Sequence, residues 1–359
     1  MAGRKICLPD DSMKLDKKVI GLCFAYNGKD EELGMVYEAG FRWLRMGIPF
    51  PWEDKMFGTL TQRYIDAKAA MVKAHEKGFS VMPTTPGLGS WRFDHNINKT
   101  VWMDSWPSFC GEKGTDEYYD NVCATTAWIA KDLEGIAGPL WCNMNEIDIP
   151  TFHGDYPVEV AAETAFQSAK GIVSADPDAL CGINLSRYYE EGIRVADMAY
   201  REGHYFGYIG DDQYFGSWQG HCVETWNEVI DKLHEHFNLP VLANEWGYSS
   251  GGEVKEKPED ESVIAPGLNS VCHVFGWHHA VEGGHTEEVQ ARYIRRGLEI
   301  FRDNPHVLGS FLFCWKDAKY CYHCGKELCP SECFWGIVHQ DTSPKPAYFA
   351  VKEFTENNQ

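Results

Sequence analysis

The sequence predicts an α/β protein, a single (β/α)8 TIM barrel with elaborated loops after its strands. Three observations carry that expectation. Short apolar runs of strand character alternate eight times with helical segments along the chain. The alternation shows no linker and no internal repeat, so a parallel sheet with right-handed crossovers follows. The length, 359 residues, suits one barrel with long loops and can bury a large core without staples.

Residues 1–18 read as a polar leader, and 19–359 as the barrel. The first strand is expected over 19–25, followed by a helix at 30–39 that Gly40 ends. The second strand, FRWLRM at 41–46, opens into a loop rich in aromatic and acidic residues. An amphipathic helix over 60–77 stops at Gly78, and strand three follows at 80–84. Residues 86–114 then read as a long loop carrying Trp91, Phe93, Trp102 and Trp106. Helix 116–133 leads to strand four at 140–145, helix 157–175 to strand five at 180–185, and helix 189–201 to strand six at 205–210. Helix 221–237 precedes strand seven at 241–244. A polar Gly- and Glu-rich excursion, SSGGEVKEKPEDES, separates it from helix 286–303, strand eight at 307–315 and a short closing helix.

Composition narrows the function. A net charge of −20 disfavours nucleic acid and anionic membrane surfaces, both of which need a basic footprint. No apolar run reaches the roughly 18 residues of a membrane span, and no apolar stretch follows the early basic residues as in an export signal. The expected setting is cytoplasmic. Thirteen cysteines there should be thiols or metal ligands rather than a disulfide framework. The 14% aromatic content fits flat platforms for sugar rings as well as large cores. Neither Gly-x-Gly-x-x-Gly after a strand nor a phosphate-binding Gly-x-x-x-x-Gly-Lys occurs, which counts against nucleotides.

In a (β/α)8 barrel the active site lies at the carboxyl ends of the strands. Two runs, WCNMNE and VLANEW, are announced by Pro139 and Pro240 and lead to Glu146 and Glu245. A carboxylate ending a strand buried on both faces is not there to fill a core. Around this pair the strand ends offer Arg45, Asn145, Tyr214 and Trp315. Two carboxyl groups flanking a glycosidic bond can break it, one protonating the leaving oxygen while the other attacks or activates water. Arg45 would hold Glu245 charged, Asn145 would bond a sugar 2-hydroxyl, Tyr214 would orient Glu245, and Trp315 would stack beneath the ring.

These residues resemble the pattern of the clan A glycoside hydrolases, retaining β-glycosidases on (β/α)8 barrels. The resemblance spans about residues 19–354. It implies Glu146 as acid/base at the end of strand four and Glu245 as nucleophile at the end of strand seven. It also implies Arg45, Asn145, Tyr214 and Trp315 as substrate-site residues. The tail GIVHQDTSPKPAYFAVKEF is similar to the closing segment of β-galactosidase- and β-glucuronidase-type barrels. Gln213 departs from the pattern, since many members have histidine before the strand-six tyrosine. The expected function is β-glycoside hydrolysis with retention, exo-acting on short oligosaccharides or glycosides, with a small carbohydrate as partner and no cofactor for catalysis. Transglycosylation through the same intermediate and a non-catalytic sugar-binding barrel remain the alternatives.

A second pattern follows strand eight. Cys321, Cys324, Cys329 and Cys333 are spaced C-x2-C-x4-C-x3-C, which resembles a tetrathiolate set for a structural zinc. The other cysteines, Cys272 among them, read as small buried hydrophobes. A third reading makes this cluster the centre of a metal-dependent hydrolase.

Overall fold

The computed structural model describes residues 18–26, 28–255, 271–272 and 276–358. The expected leader lies outside these residues except for Lys18, and so does the polar excursion beyond residue 255. The strands are β1 (Val19–Cys23), β2 (Trp43–Gly47), β3 (Ser80–Thr84), β4 (Gly89–Asp94), β5 (Lys99–Asp104), β6 (Leu140–Cys142), β7 (Leu180–Gly182), β8 (Asn184–Leu185), β9 (Ile209–Gln213), β10 (Val241–Trp246) and β11 (Val307–Leu312). The helices are α1 (Asp30–Glu38), α2 (Gln62–Glu76), α3 (Asp116–Asp132), α4 (Pro150–His153), α5 (Val158–Ala175), α6 (Glu190–Ala199), α7 (Thr225–Phe237), α8 (Glu287–Asp303), α9 (Pro330–Cys333) and α10 (Pro346–Asn357). No described helix is long and apolar enough to cross a membrane.

Nine segments form one sheet in the order β7-β6-β3-β2-β1-β11-β10-β9-β8, and its pairings are parallel. Its two ends are halves of a single strand split at Ile183, whose carbonyl accepts from the Gly210 amide at 2.8 Å. The sheet therefore curls back on itself through one broken strand, with eight strand positions in the ring. The TIM-barrel expectation holds.

Two apolar layers hold it. The lumen is filled by Trp43, Met82, Leu140, Leu180, Tyr208, Leu242, Leu308 and Phe311, with Val19 and Cys142. A larger layer joins the outer faces of the strands to the helices. The lumen packs rings against glycines: a Cβ on Gly21 would lie 2.3 Å from the Phe311 ring, and one on Gly182 2.3 Å from the Tyr208 ring. Overpacking of that kind costs about 1–3 kcal/mol or more. Helices start where short hydroxyl side chains can take an orphan amide. Thr61, Thr115 and Thr286 accept from the amides of Tyr64, Tyr118 and Val289 at 3.1, 3.3 and 3.3 Å, each worth about 1 kcal/mol.

Three boundaries differ from expectation, and each shift moves a side chain relative to the site. The sixth strand runs Ile209–Gln213 instead of 205–210, because Asp211 and Asp212, which read as loop residues, are buried within it. They are tolerated because Gln213 Nε2 donates to Asp211 Oδ2 at 2.7 Å and Asn184 Nδ2 to Asp212 Oδ2 at 2.6 Å. The eighth strand ends at Leu312, short of Trp315. The segment 86–114 contains the antiparallel hairpin β4–β5, in which Trp91 faces Trp102.

Candidate active site

At the carboxyl ends of the strands lies a cavity of about 520 Å³, lined by Asn145, Glu146, Phe152, Tyr214, Trp218, Glu245, Phe313 and Trp335, among others. Five of the six expected residues converge here. Arg45 sits beneath the cavity and reaches Glu245 and Asn145.

Glu245 owes its position to a bulge. Between Ala243 and Trp246, β10 uses one residue more than β11 does between Ser310 and Leu312, and a matching shift occurs against β9. A bulge re-aims the side chain beside it. Asn244 turns inward and donates to Cys142 Sγ at 3.3 Å, while Glu245 is directed to the cavity. Both its oxygens are held: Oε1 pairs with Arg45 Nη1, and Oε2 accepts from the Tyr214 hydroxyl at 2.5 Å. Removing Arg45 would leave a buried carboxylate without its counterion, a change that costs about 3–5 kcal/mol.

Arg45 spans the site. Its Nε donates to Thr84 Oγ1 at 3.1 Å and its Nη2 to Asn145 Oδ1 at 2.5 Å. Asn145 Oδ1 also accepts from Asn184 Nδ2 at 3.2 Å. With its oxygen so engaged, Asn145 keeps its amide N–H groups as donors for whatever enters the cavity.

Glu146 stands in different surroundings. Strand β6 ends at Cys142, and the chain then turns through Met144 and Glu146, both in the left-handed region at φ +71° and +37°. Such backbone costs on the order of 1–3 kcal/mol per residue and persists only where neighbours enforce it. Thr85 Oγ1 takes the Met144 amide at 3.0 Å, and Asn184 Oδ1 takes the Glu146 amide at 3.2 Å. The Glu146 carboxyl has no hydrogen-bond partner among the described residues. Burial, then the charges of Glu245 and Asp148, push it well above the usual carboxylate range. The cavity thus contains one carboxyl whose proton is favoured and one whose oxygens are both occupied by donors.

Trp315 is the exception among the expected site residues. Its indole N–H donates to Glu32 Oε2 at 3.0 Å, and its ring packs against Phe24 and Tyr348, behind the barrel wall. Strand alternation cannot be carried to it, because β11 ends three residues earlier. Phe313 and Trp335 line the cavity instead, Trp335 lying edge-on to Tyr214 at 4.8 Å. Gln213 is buried on Asp211 and does not line the cavity. Asp148 accepts from the Ser186 amide and hydroxyl at 2.9 and 2.8 Å and fastens a loop, and its burial raises its carboxyl to about 6. Two residues escaped sequence reasoning. Asn184, inside an apolar strand, bonds Asn145, the Glu146 amide and Asp212 at once, and a buried Asn at a strand end was the available signal. Trp335 lies in an irregular segment and gave none.

The cysteine cluster also differs from expectation. The thiols that gather are Cys272, Cys321, Cys324 and Cys329, all within 4.8 Å of one another and buried or nearly so. Cys333 is outside the set: α9 turns it away, and its Sγ is 3.9 Å from the Lys326 carbonyl. Its place is taken by Cys272, from the segment after β10, which no spacing rule could connect to residues 321–329. The group could hold a metal ion.

No family model matches this chain, and no curated protein sequence does. Solved structures match its fold. A β-D-glucuronidase from Dictyoglomus thermophilum superposes with a TM-score of 0.57 at 12% identity over 91% of this chain and 46% of that one. A GH2 β-galacturonidase from Eisenbergiella tayi gives 0.56 at 14% over 95% and 51%. A family 39 glycoside hydrolase from the gut symbiont Bacteroides cellulosilyticus gives 0.58 at 11% over 96% and 64%. This chain spans about half the length of the first two. The class these neighbours define is the barrel fold of glycoside hydrolases, and at these identities the likeness is one of fold.

Proposed function

We propose that the chain is a retaining β-glycoside hydrolase in which Glu245 is the nucleophile and Glu146 the acid/base. The observation that carries this reading is the contrast between two carboxyls in one cavity. Glu245, held by Arg45 and Tyr214, is oriented to attack an anomeric carbon. Glu146, pushed up by burial, carries the proton that a leaving oxygen needs. Attack forms a glycosyl ester on Glu245 as the aglycone departs with the Glu146 proton. Glu146, now ionised, takes a proton from water, whose oxygen displaces Glu245 and releases the sugar with its configuration retained. Asn145 donates to a sugar hydroxyl, and Phe313, Trp218 and Trp335 supply apolar faces in the role first expected of Trp315.

The cavity is walled. The hairpin β4–β5 reaches the loop after β11, where the Phe93 amide donates to the Tyr322 carbonyl at 3.0 Å and the Thr100 hydroxyl to the His323 carbonyl at 2.9 Å. A closed side favours exo action on short glycosides. The neighbours named for uronic-acid glycosides bear on the choice of sugar, since Arg187 and His323 line the cavity. The four-cysteine group is a structural zinc centre outside the reaction.

The test is a panel of 4-nitrophenyl β-glycosides, neutral sugars and uronic acids together. At least one should be turned over, with the anomer retained in the product, and Glu245→Ala should lower the rate on the order of 10³-fold or more. Saturable sugar binding with no turnover would instead identify a sugar-binding barrel.

A further inference from the structure

The four cysteines come from two loops that flank the cavity. Cys272 follows β10, which carries Glu245, and Cys321, Cys324 and Cys329 follow β11. Their spacing in space is diagnostic. Four thiolates around zinc at about 2.3 Å in a tetrahedron place the sulfurs roughly 3.8 Å apart, whereas a disulfide needs about 2.05 Å. The Cys272–Cys321 and Cys272–Cys329 Sγ separations are 3.7 and 3.8 Å. The set consists of sulfur alone, as structural zinc sites do and catalytic ones usually do not.

Between these ligands stand the residues that close the cavity. Tyr322 and His323 lie between Cys321 and Cys324, and Glu332 lies three residues beyond Cys329; all three line the cavity. His323 Nε2 is 3.2 Å from Glu332 Oε1, and His323 is 9% exposed. The carbonyls of Tyr322 and His323 are those to which the hairpin β4–β5 bonds. Gly325, at φ +68°, fits against the Phe93 ring, which a Cβ there would approach to 2.1 Å. Apart from the ligand cluster itself, these residues belong to a short irregular segment with no strand or helix of its own between 313 and 329.

We propose that Cys272, Cys321, Cys324 and Cys329 hold one zinc ion, and that this ion holds the substrate-facing wall of Tyr322, His323 and Glu332 against the hairpin β4–β5. The inference rests on the zinc reading above and adds what the metal does. Zinc ties the loop after the Glu245 strand to the loop after the last strand and fixes the carbonyls that receive Phe93 and Thr100. Without it, an irregular segment has too few bonds of its own to keep that docking.

Zinc content and amide exchange test the two layers separately, and neither requires a known substrate. Metal analysis of the full chain under native conditions should find one zinc per chain, retained in Cys333→Ser and lost in Cys272→Ser and Cys324→Ser. Amide hydrogen exchange over residues 89–94 should become at least tenfold faster when zinc is withdrawn from the wild-type chain by a chelator. It should recover when zinc is restored. The chelator arm keeps the test independent of whether the cysteine variants fold. No bound metal, iron in place of zinc, or metal retained by Cys272→Ser would overturn the assignment of the centre. Zinc present with exchange at 89–94 unchanged by its removal would overturn the proposed role while leaving the centre in place.

Discussion

Glu146 and Glu245 are the same residue type in one cavity, and their neighbours separate them. Glu245 has a guanidinium and a phenol on its two oxygens; Glu146 has burial and nearby negative charge. If Glu146 supplies the proton, Glu146→Ala should slow glycosides with poor leaving groups far more than activated aryl glycosides, which leave without help. Equal losses across a leaving-group series in kcat/KM would remove that role. The raised carboxyl also has a stability signature. The native state holds this proton more tightly than the unfolded chain does. Glu146 therefore favours folding only while both states are protonated, and that contribution is lost as pH rises from the ordinary carboxylate range through the raised value. Glu146→Gln should raise Tm at pH 7 by on the order of 2 °C and leave it unchanged near pH 4. A gain of equal size at both pH values would show that ionisation is not the cause.

At the scale of elements, the order of strands and helices was legible because apolar periodicity reports burial directly. What the sequence did not show was local geometry that depends on partners far along the chain. The bulge at Asn244 is set by register against β9 and β11, and nothing in VLANEW announces it. Asp211 and Asp212 read as loop because their partners, Gln213 and Asn184, are visible only after folding. The hairpin β4–β5 lay unseen in a segment with weak alternation and a turn, Asn96–Lys99, that resembles any polar loop. Arg45, Asn145, Glu146, Tyr214 and Glu245 could be found because each sits at or just past the end of an apolar run. Trp315 failed for the complementary reason: the run past Leu312 is no longer strand, so counting outward misplaces the aromatic. The correction predicts a reversal of roles. Trp315→Phe, which loses the bond to Glu32, should lower Tm and leave KM unchanged, whereas Trp335→Leu should raise KM about tenfold. A raised KM in Trp315→Phe with none in Trp335→Leu would restore the original assignment.

On the scale of the whole molecule, the barrel acts as a rigid ring on which loops of different origin meet. Strands β6 and β10 bring the two carboxyls to one mouth. The hairpin after β3 and the cysteine segment after β11 close that mouth from the side. Chains at 11–14% identity share the ring, so the ring alone does not determine the chemistry. The chemistry depends on whether Glu245 makes and breaks a bond to the sugar. Replacing Glu245 with glycine and supplying azide, a small anionic nucleophile that can enter the space left by the side chain, tests this most directly. The account predicts that Glu245→Gly is inactive alone on an activated aryl β-glycoside and regains turnover with azide, giving a glycosyl azide of inverted configuration. Undiminished hydrolysis by Glu245→Gly without azide would contradict it.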